Sequence, residues 1–232
     1  MKPVSVANRL LSALPRTDLS RVLASCDEIE LRLHDVLYES GAPLRHIYFP
    51  TSAFISLVTP LSACAGLEVA LVGNEGMAGV ALLMGVAASP LNHLVQGAGA
   101  ALRMDAASFK RELIHCQALR PRLNRYAYVK MHQFAQTAAC TRFHLVEERL
   151  ARWLLMTRDR SRSDTFYATH EFLAYMLGVR RVGITKAATT LARRGLITYS
   201  RGSITILNRR GLETASCGCY MAASQLYQRV LG

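Results

Sequence analysis

From about Ile29 to Met104 the chain alternates short apolar runs with turn residues. Ile47-Tyr48-Phe49-Pro50, Ala53 to Val58, Leu67 to Val72 and His93 to Gln96 are set apart by Gly41, Pro60, Gly66, Gly73, Gly76 and Gly97. Runs of this length between turn formers predict strands, and their spacing predicts a small β-roll or sandwich. Ahead of them, Val4 to Leu23 has helical spacing broken at Leu14-Pro15, so one or two short helices are expected. The character changes at Leu119. From there to about Ala139 there is no Gly, Asp or Glu, and Leu123, Ala127, Lys130, Phe134 and Thr137 recur at intervals of three and four. That pattern predicts one long helix with a partly apolar stripe, on which Lys130 is unusual and suits the edge. A second helix is expected over Phe143 to Asp159, with Leu145, Val146, Arg149, Leu150, Trp153 and Leu154 at core-facing spacing. Arg158 to Asp164 reads as an exposed linker.

Two further helical patterns meet at Gly178. Thr169 can cap the first, whose Phe172, Leu173, Met176 and Leu177 point inward, and Gly178 supplies the positive φ of a tight turn. Val179, Ile184, Ala187, Ala188 and Leu191 give the second its buried side. Its opposite face presents Arg180, Arg181, Thr185, Lys186 and Thr189 near the N-terminus, where a recognition helix reaches base edges and its dipole favours phosphate. Arginine can bond two acceptors of guanine at once, which makes Arg180 and Arg181 the natural base readers. Past Gly195, Leu196 to Tyr199 and Ser203 to Leu207 alternate like strands around Ser200-Arg201-Gly202, a hairpin with an arginine at its tip. The pattern as a whole is a winged helix-turn-helix. Its candidate DNA-contacting residues are Thr169, Arg180, Arg181, Thr185, Lys186, Thr189, Ser200 and Arg201, with the recognition helix at about 180–194.

Charge sharpens this reading. The net +12 is unevenly placed: residues 1–116 hold nine basic and ten acidic side chains, residues 117–232 nineteen and six, so the halves carry −1 and +13. A field of that sign on one half attracts a polyanion, and double-stranded DNA is the expected partner. No membrane partner is expected. The longest nearly uninterrupted apolar run, Ala78 to Ala88, falls well short of the roughly 18–20 residues that span a bilayer. The opening Met1-Lys2-Pro3-Val4-Ser5 lacks the apolar stretch of a secretory signal, so a cytoplasmic address is expected. No P-loop, GxSxG, HExxH or GxGxxG occurs, and the adjacent Glu147-Glu148 pair suits solvent exposure, so no enzymatic activity is expected.

Six cysteines, Cys26, Cys64, Cys116, Cys140, Cys217 and Cys219, include no CxxC, which fits thiols in a reducing compartment. Cys140 and His144, four residues apart on a helix, have a spacing that can chelate a metal, though a packed helix junction is the expected role. Cys217-Gly218-Cys219 has the spacing of a redox or metal clip, though ordinary C-terminal packing is the expected role. No metal site is therefore assigned.

The block from His170-Glu171-Phe172-Leu173-Ala174 through Arg180-Arg181 to Gly195-Leu196-Ile197, with the hairpin and Arg210-Gly211-Leu212-Glu213 after it, resembles the Crp/Fnr family of bacterial transcription regulators. Ile47-Tyr48-Phe49-Pro50 and Val72-Gly73-Asn74-Glu75-Gly76-Met77 resemble that family's cyclic-nucleotide-binding-like β-roll. The resemblance implies an α+β chain: N-terminal helices and a jelly-roll sensor-like domain over 1–116, a long dimerisation helix over 117–140 and a winged helix-turn-helix over 141–232. It implies a homodimer that binds an operator and helps or blocks RNA polymerase, with Leu123, Ala127 and Phe134 as seam positions. In the family an Arg-Glu pair followed by a further basic residue commonly reads the operator. Arg181 and Lys186 match that pattern, but Val182 occupies the glutamate's place.

The sensor half departs from the family's cyclic-nucleotide binders. The stretch from Glu75 to Gln96 has no arginine in the matching place, and no Lys or Arg occurs from His46 to Leu102, while Glu68 and Glu75 do. A buried phosphate with no cation is strongly penalised, so cyclic nucleotide binding is not expected. The closely spaced N-terminal thiolates of an iron–sulfur sensor are absent. An uncharged or hydrophobic small-molecule effector, haem or redox sensing, and an effector-independent β-roll used as a scaffold stay open.

Overall fold

The computed structural model describes residues 7–62 and 65–232. Met1 to Val6 and Ala63-Cys64 lie outside the described residues, and with them Cys64 and the start of the expected N-terminal helical segment. Two short helices open the described chain, α1 (Arg9–Ser12) and α2 (Arg16–Ala24). The buried Asn8 side chain accepts from the Leu10 and Leu11 amides and donates to the carbonyls of Pro50 and Gly76, which ties α1 to the strands.

Seven strands follow: β1 (Asp27–Leu31), β2 (Val36–Tyr38), β3 (His46–Pro50), β4 (Phe54–Ser62), β5 (Ala65–Val72), β6 (Asn92–Gly97) and β7 (Gly99–Asp105). They form one sheet of order β1-β7-β3 and another of order β2-β6-β4-β5. Both pairings of β7 are antiparallel, with Leu31 opposite Gly99 and His46 opposite Asp105. Ile47, Phe49, Ile55, Val95, Ala101 and Met104 are essentially inaccessible, so alternate positions of the strands supply the core. A 3-10 turn at Val80–Met84 buries Leu82 and Leu83.

Three helices come next: α3 (Ala106–His115), α4 (Leu119–Phe143) and α5 (Val146–Ser161). The expected linker from Arg158 is thus still helix as far as Ser161, and an Arg158–Asp164 ion pair of 2.5 Å folds the rest of it back. The chain ends with β8 (Thr165–Tyr167), α6 (His170–Leu177), α7 (Arg181–Arg193), β9 (Ile197–Ser200), β10 (Ser203–Ile206), α8 (Arg209–Ala215) and α9 (Cys219–Leu231). The three strands form an antiparallel sheet of order β8-β10-β9. One compact unit is built from the chain up to Leu57, Leu71–Met131 and Arg229–Gly232, the other from Val58–Ala70 and His132–Gln228.

Helix α4 corrects two expectations. Lys130 is not at an edge: it is 3% exposed, its ammonium donates to the Leu71 carbonyl at 2.5 Å and lies 5.1 Å from the centre of the Tyr126 ring. Leu123 and Ala127 are 0% and 6% exposed in the single chain and Phe134 is half-buried. The apolar stripe assigned to a second chain is therefore largely covered by the chain's own residues. On another face, Tyr128 (56%) and Met131 (62%) stand exposed together with Ala135 and Ala138.

Candidate nucleic-acid interface

Thr169 caps α6: its Oγ1 accepts from the Phe172 amide at 3.1 Å. At the other end Gly178 adopts φ +62°, and its amide closes the helix onto Tyr175. A Cβ there would stand 3.3 Å from Leu67 Cδ1 as well as in the left-handed region, so both backbone and space favour glycine. Val179 N bonds Ala174 O, and the chain re-enters helix at Arg181 with Arg180 as the capping residue.

Around α7, at about 100° per residue, Ile184, Ala187, Ala188 and Leu191 share one arc and are buried. Arg181, Val182, Thr185, Lys186 and Thr189 occupy the opposite arc and are exposed, as is Arg180 at the cap. Thr185 is partly spoken for: its Oγ1 donates to Arg181 O at 3.2 Å and lies 3.0 Å from His170 Nδ1. The wing is the β9–β10 hairpin, where Ser200 pairs with Ser203 around Arg201 (φ +50°) and Gly202 (φ +83°). A Cβ on Gly202 would meet the Tyr167 ring at 2.5 Å, so β8 fixes the wing from beneath. Ser200 and Arg201 are exposed at the tip.

Five of the six carboxylates of the basic half, all but Glu171, are engaged elsewhere. Glu147 holds Arg194 at 2.7 Å, Asp164 holds Arg158, and Asp159 and Glu213 both hold Arg209, at 3.0 and 2.8 Å. Glu148 accepts from the Leu145 amide at 2.8 Å, so the Glu147-Glu148 pair, read as simply solvent-facing, organises the start of α5. Arg180, Arg181, Lys186 and Arg201 enter no ion pair among the described residues. Positive charge is thus left uncompensated at the first turn of α7 and at the wing tip, where the helix dipole adds to it.

Residues 148–215 match the Crp-like helix-turn-helix domain. The chain also resembles solved regulators over most of its length. It is 17% identical to a transcriptional regulator of the Crp/Fnr family from Eubacterium rectale, at a TM-score of 0.70 over 89% of this chain and 96% of that one. The c-di-GMP-responsive global regulator CLP of Xanthomonas campestris aligns at 12% identity and TM-score 0.68, over 83% and 99%. A CRP-family regulator from Thermus thermophilus aligns at 18% and 0.67, over 81% and 96%. This is a Crp/Fnr-type fold with a Crp-like helix-turn-helix. No curated protein sequence matches the chain.

Within the Crp-like helix-turn-helix, the pattern of residues singles out the exposed cations but misses the brace that orients them. The His170 and Tyr199 rings stack at 4.3 Å and 17°, joining the start of α6 to β9, while His170 Nδ1 holds Thr185 on α7. Burial, reinforced by the nearby Arg181 charge, lowers the His170 pKa, so the imidazole stays neutral. Val182, already singled out by the resemblance at the glutamate's place, is 59% exposed on the same arc as Arg181 and Lys186.

The cysteines divide into two kinds. Burial pushes Cys26 up to about 12 and Cys116 up to about 11, which leaves both as unreactive thiols. Cys140, His144, Cys217 and Cys219 are different: their potential ligand atoms all lie within 4.8 Å of one another. The Cys140–His144 pair and the Cys217–Cys219 pair, separate in the sequence, are one cluster in the fold. A hydrogen bond from Cys217, helped by the Arg152 charge, lowers the Cys140 pKa against the opposing effect of burial, and the Cys217 thiol is raised in turn. Among the described residues no helix is long and apolar enough to cross a membrane.

Proposed function

We propose that this chain is a sequence-specific DNA-binding transcription regulator that works as a homodimer and helps or blocks RNA polymerase. The observation that carries the reading is the uncompensated, exposed Arg180-Arg181 and Lys186 at the start of α7, on a Crp-like helix-turn-helix. Two such helices, one per protomer, suit successive major grooves about 34–36 Å apart on a roughly palindromic site. Arg201 at the wing suits a neighbouring phosphate. Thr169 and Thr185 take part mainly by holding the motif together, since their hydroxyls are engaged within it.

The seam belongs on the uncovered face of α4. Tyr128, Met131, Ala135 and Ala138 follow one another at intervals of three, four and three, the heptad alternation of a two-stranded coiled coil. Ala135 and Ala138 allow close approach of two helices, while Tyr128 and Met131 supply apolar area to bury.

Val182 defines the half-site. Where a glutamate would accept from cytosine, an isopropyl group instead favours apolar contact with a thymine methyl. Selection of bound duplexes from a random pool, followed by titration of the winners, tests both points. Arg181→Ala is expected to weaken the selected duplex by about 1–3 kcal/mol and to leave scrambled duplex nearly unchanged. Val182→Glu is expected to move the preference at one position of each half-site from T·A toward C·G. Equal loss on every sequence would reduce Arg181 to a phosphate contact.

The β-roll stretch offers no cation of its own to a cyclic phosphate, which argues against a cyclic nucleotide as effector. No Lys or Arg lies between His46 and Leu102, and the buried His93 is neutral because burial pushes its pKa down to about 4. An uncharged effector, or none, fits this interior.

A further inference from the structure

Cys140 and His144 lie one turn apart at the end of α4, where the His144 amide still bonds the Cys140 carbonyl at 3.2 Å. Cys217 and Cys219 flank Gly218 between α8 and α9. Residues 77 apart in sequence are thereby brought together, with Cys140 Sγ 3.5 Å from Cys217 Sγ and Cys219 Sγ 3.5 Å from His144 Nδ1. The three cysteines are 1%, 4% and 3% exposed. We propose that Cys140, His144, Cys217 and Cys219 bind one zinc ion as a closed, structural Cys3His site that clips α9 to the end of α4.

Two ligand pairs already stand 3.5 Å apart, close to tetrahedral spacing, and the whole set lies within 4.8 Å, so a small inward shift closes it on one ion. Zn–S bonds of about 2.3 Å and Zn–N bonds of about 2.0 Å place neighbouring ligand atoms roughly 3.5–3.8 Å apart. A disulfide between Cys140 and Cys217 would account for two of the four groups and leave Cys219 and His144 without a reason to converge. Four protein ligands also fill the coordination sphere, which marks a structural rather than a catalytic ion. The donor set is soft, three sulfurs and one imidazole, and holds no oxygen for magnesium or calcium. Iron–sulfur clusters, with several irons and bridging sulfides, require a wider cage than ligand atoms within 4.8 Å enclose.

The surroundings match. Gln136 Nε2 donates to Cys219 Sγ at 2.9 Å, the kind of outer hydrogen bond that orients a thiolate ligand. Three thiolates and a dication sum to −1, and the guanidiniums of Arg149 and Arg152, both buried on α5, stand beside Cys140 to offset it. Gly218, at the apex between the two C-terminal ligands, is exposed with open space around its Cα, so the loop can settle both sulfurs on one ion.

Full-length protein, purified under reductant and dialysed without chelator, is the material for the test. About one zinc per chain by elemental mass spectrometry is expected, falling below about a tenth in Cys217→Ser/Cys219→Ser. Because that variant can fail to fold, two further readouts are needed. Cobalt(II) added to the stripped wild-type chain is expected to give the intense tetrahedral spectrum with thiolate-to-metal charge transfer. His144→Ala, which keeps all three sulfurs and is checked for wild-type circular dichroism, is expected to lose at least about tenfold in zinc affinity. A reduced wild-type chain that takes up neither ion overturns the proposal. So does iron with acid-labile sulfide, or a Cys140–Cys217 disulfide that persists under reductant.

Discussion

Glutamate at Tyr128 and Met131 together is expected to split the proposed dimer and to lower operator affinity by at least about a hundredfold. Both side chains are more than half exposed on α4 while Leu123 and Ala127 are covered, so the substitution leaves the core of the protomer alone. In a two-stranded pairing each new carboxylate would face its symmetry mate, and like charges there oppose association. A monomer can engage only one half-site, and losing the intramolecular second engagement removes a factor of about 10²–10⁴. Analytical ultracentrifugation reads the assembly state and fluorescence anisotropy reads the affinity. Leu123→Glu is the contrast: it strikes a fully buried position and is expected to unfold the N-terminal unit rather than yield a folded monomer. A Tyr128→Glu/Met131→Glu chain that still sediments as a dimer would place the seam elsewhere.

Acid is expected to destabilise the β-roll through His93. The side chain is 3% exposed, Ser89 Oγ lies 3.1 Å from Nε2, Tyr38 meets the ring edge-on at 5.4 Å, and Nδ1 has no hydrogen-bond partner among the described residues. Burial holds the folded-state pKa at about 4, against about 6.5 in the unfolded chain. Above pH 6.5 the ring is neutral in both states and contributes no pH dependence. As pH falls from 6.5 toward 4 the unfolded chain takes up a proton that the folded chain resists. Stability is therefore lost across that window, by up to about 3 kcal/mol. His93→Gln retains a hydrogen-bonding side chain and cannot titrate. Calorimetric unfolding at a series of pH values should show the wild-type curve falling more steeply than the variant's below pH 6.5, and parallel curves would remove His93 from the account.

These two predictions mark where the sequence is a good guide and where it is not. The helix-turn-helix is written locally: period-3.6 apolar positions on both sides of Gly178, and then a period-2 pattern around Ser200-Arg201-Gly202. Strand β1 escapes the same reading because Asp27-Glu28-Ile29-Glu30-Leu31 turns only Leu31 fully inward and exposes its carboxylates. On α4 the difficulty is different. Its sequence carries apolar residues on two faces, and periodicity alone cannot say which face the chain covers for itself. Lys130 is misplaced for a related reason, since its burial depends on a carbonyl at Leu71 and a ring at Tyr126. The Cys140–His144 and Cys217–Cys219 pairs each have ligand-like spacing, but only the packing of α9 against the end of α4 makes four donors converge.

The proposed DNA-reading surface lies on the first two turns of α7. The direct test is the affinity of wild-type protein for its selected duplex and for a scrambled one, across about 50–200 mM salt, beside an Arg180→Ala/Arg181→Ala/Lys186→Ala variant. The wild type is expected to show a steep fall of log K with log salt and a strong preference for the selected duplex. The variant should have a shallower slope and little preference left. A wild-type chain that binds duplex no better than the triple variant at the lowest salt would contradict the assignment.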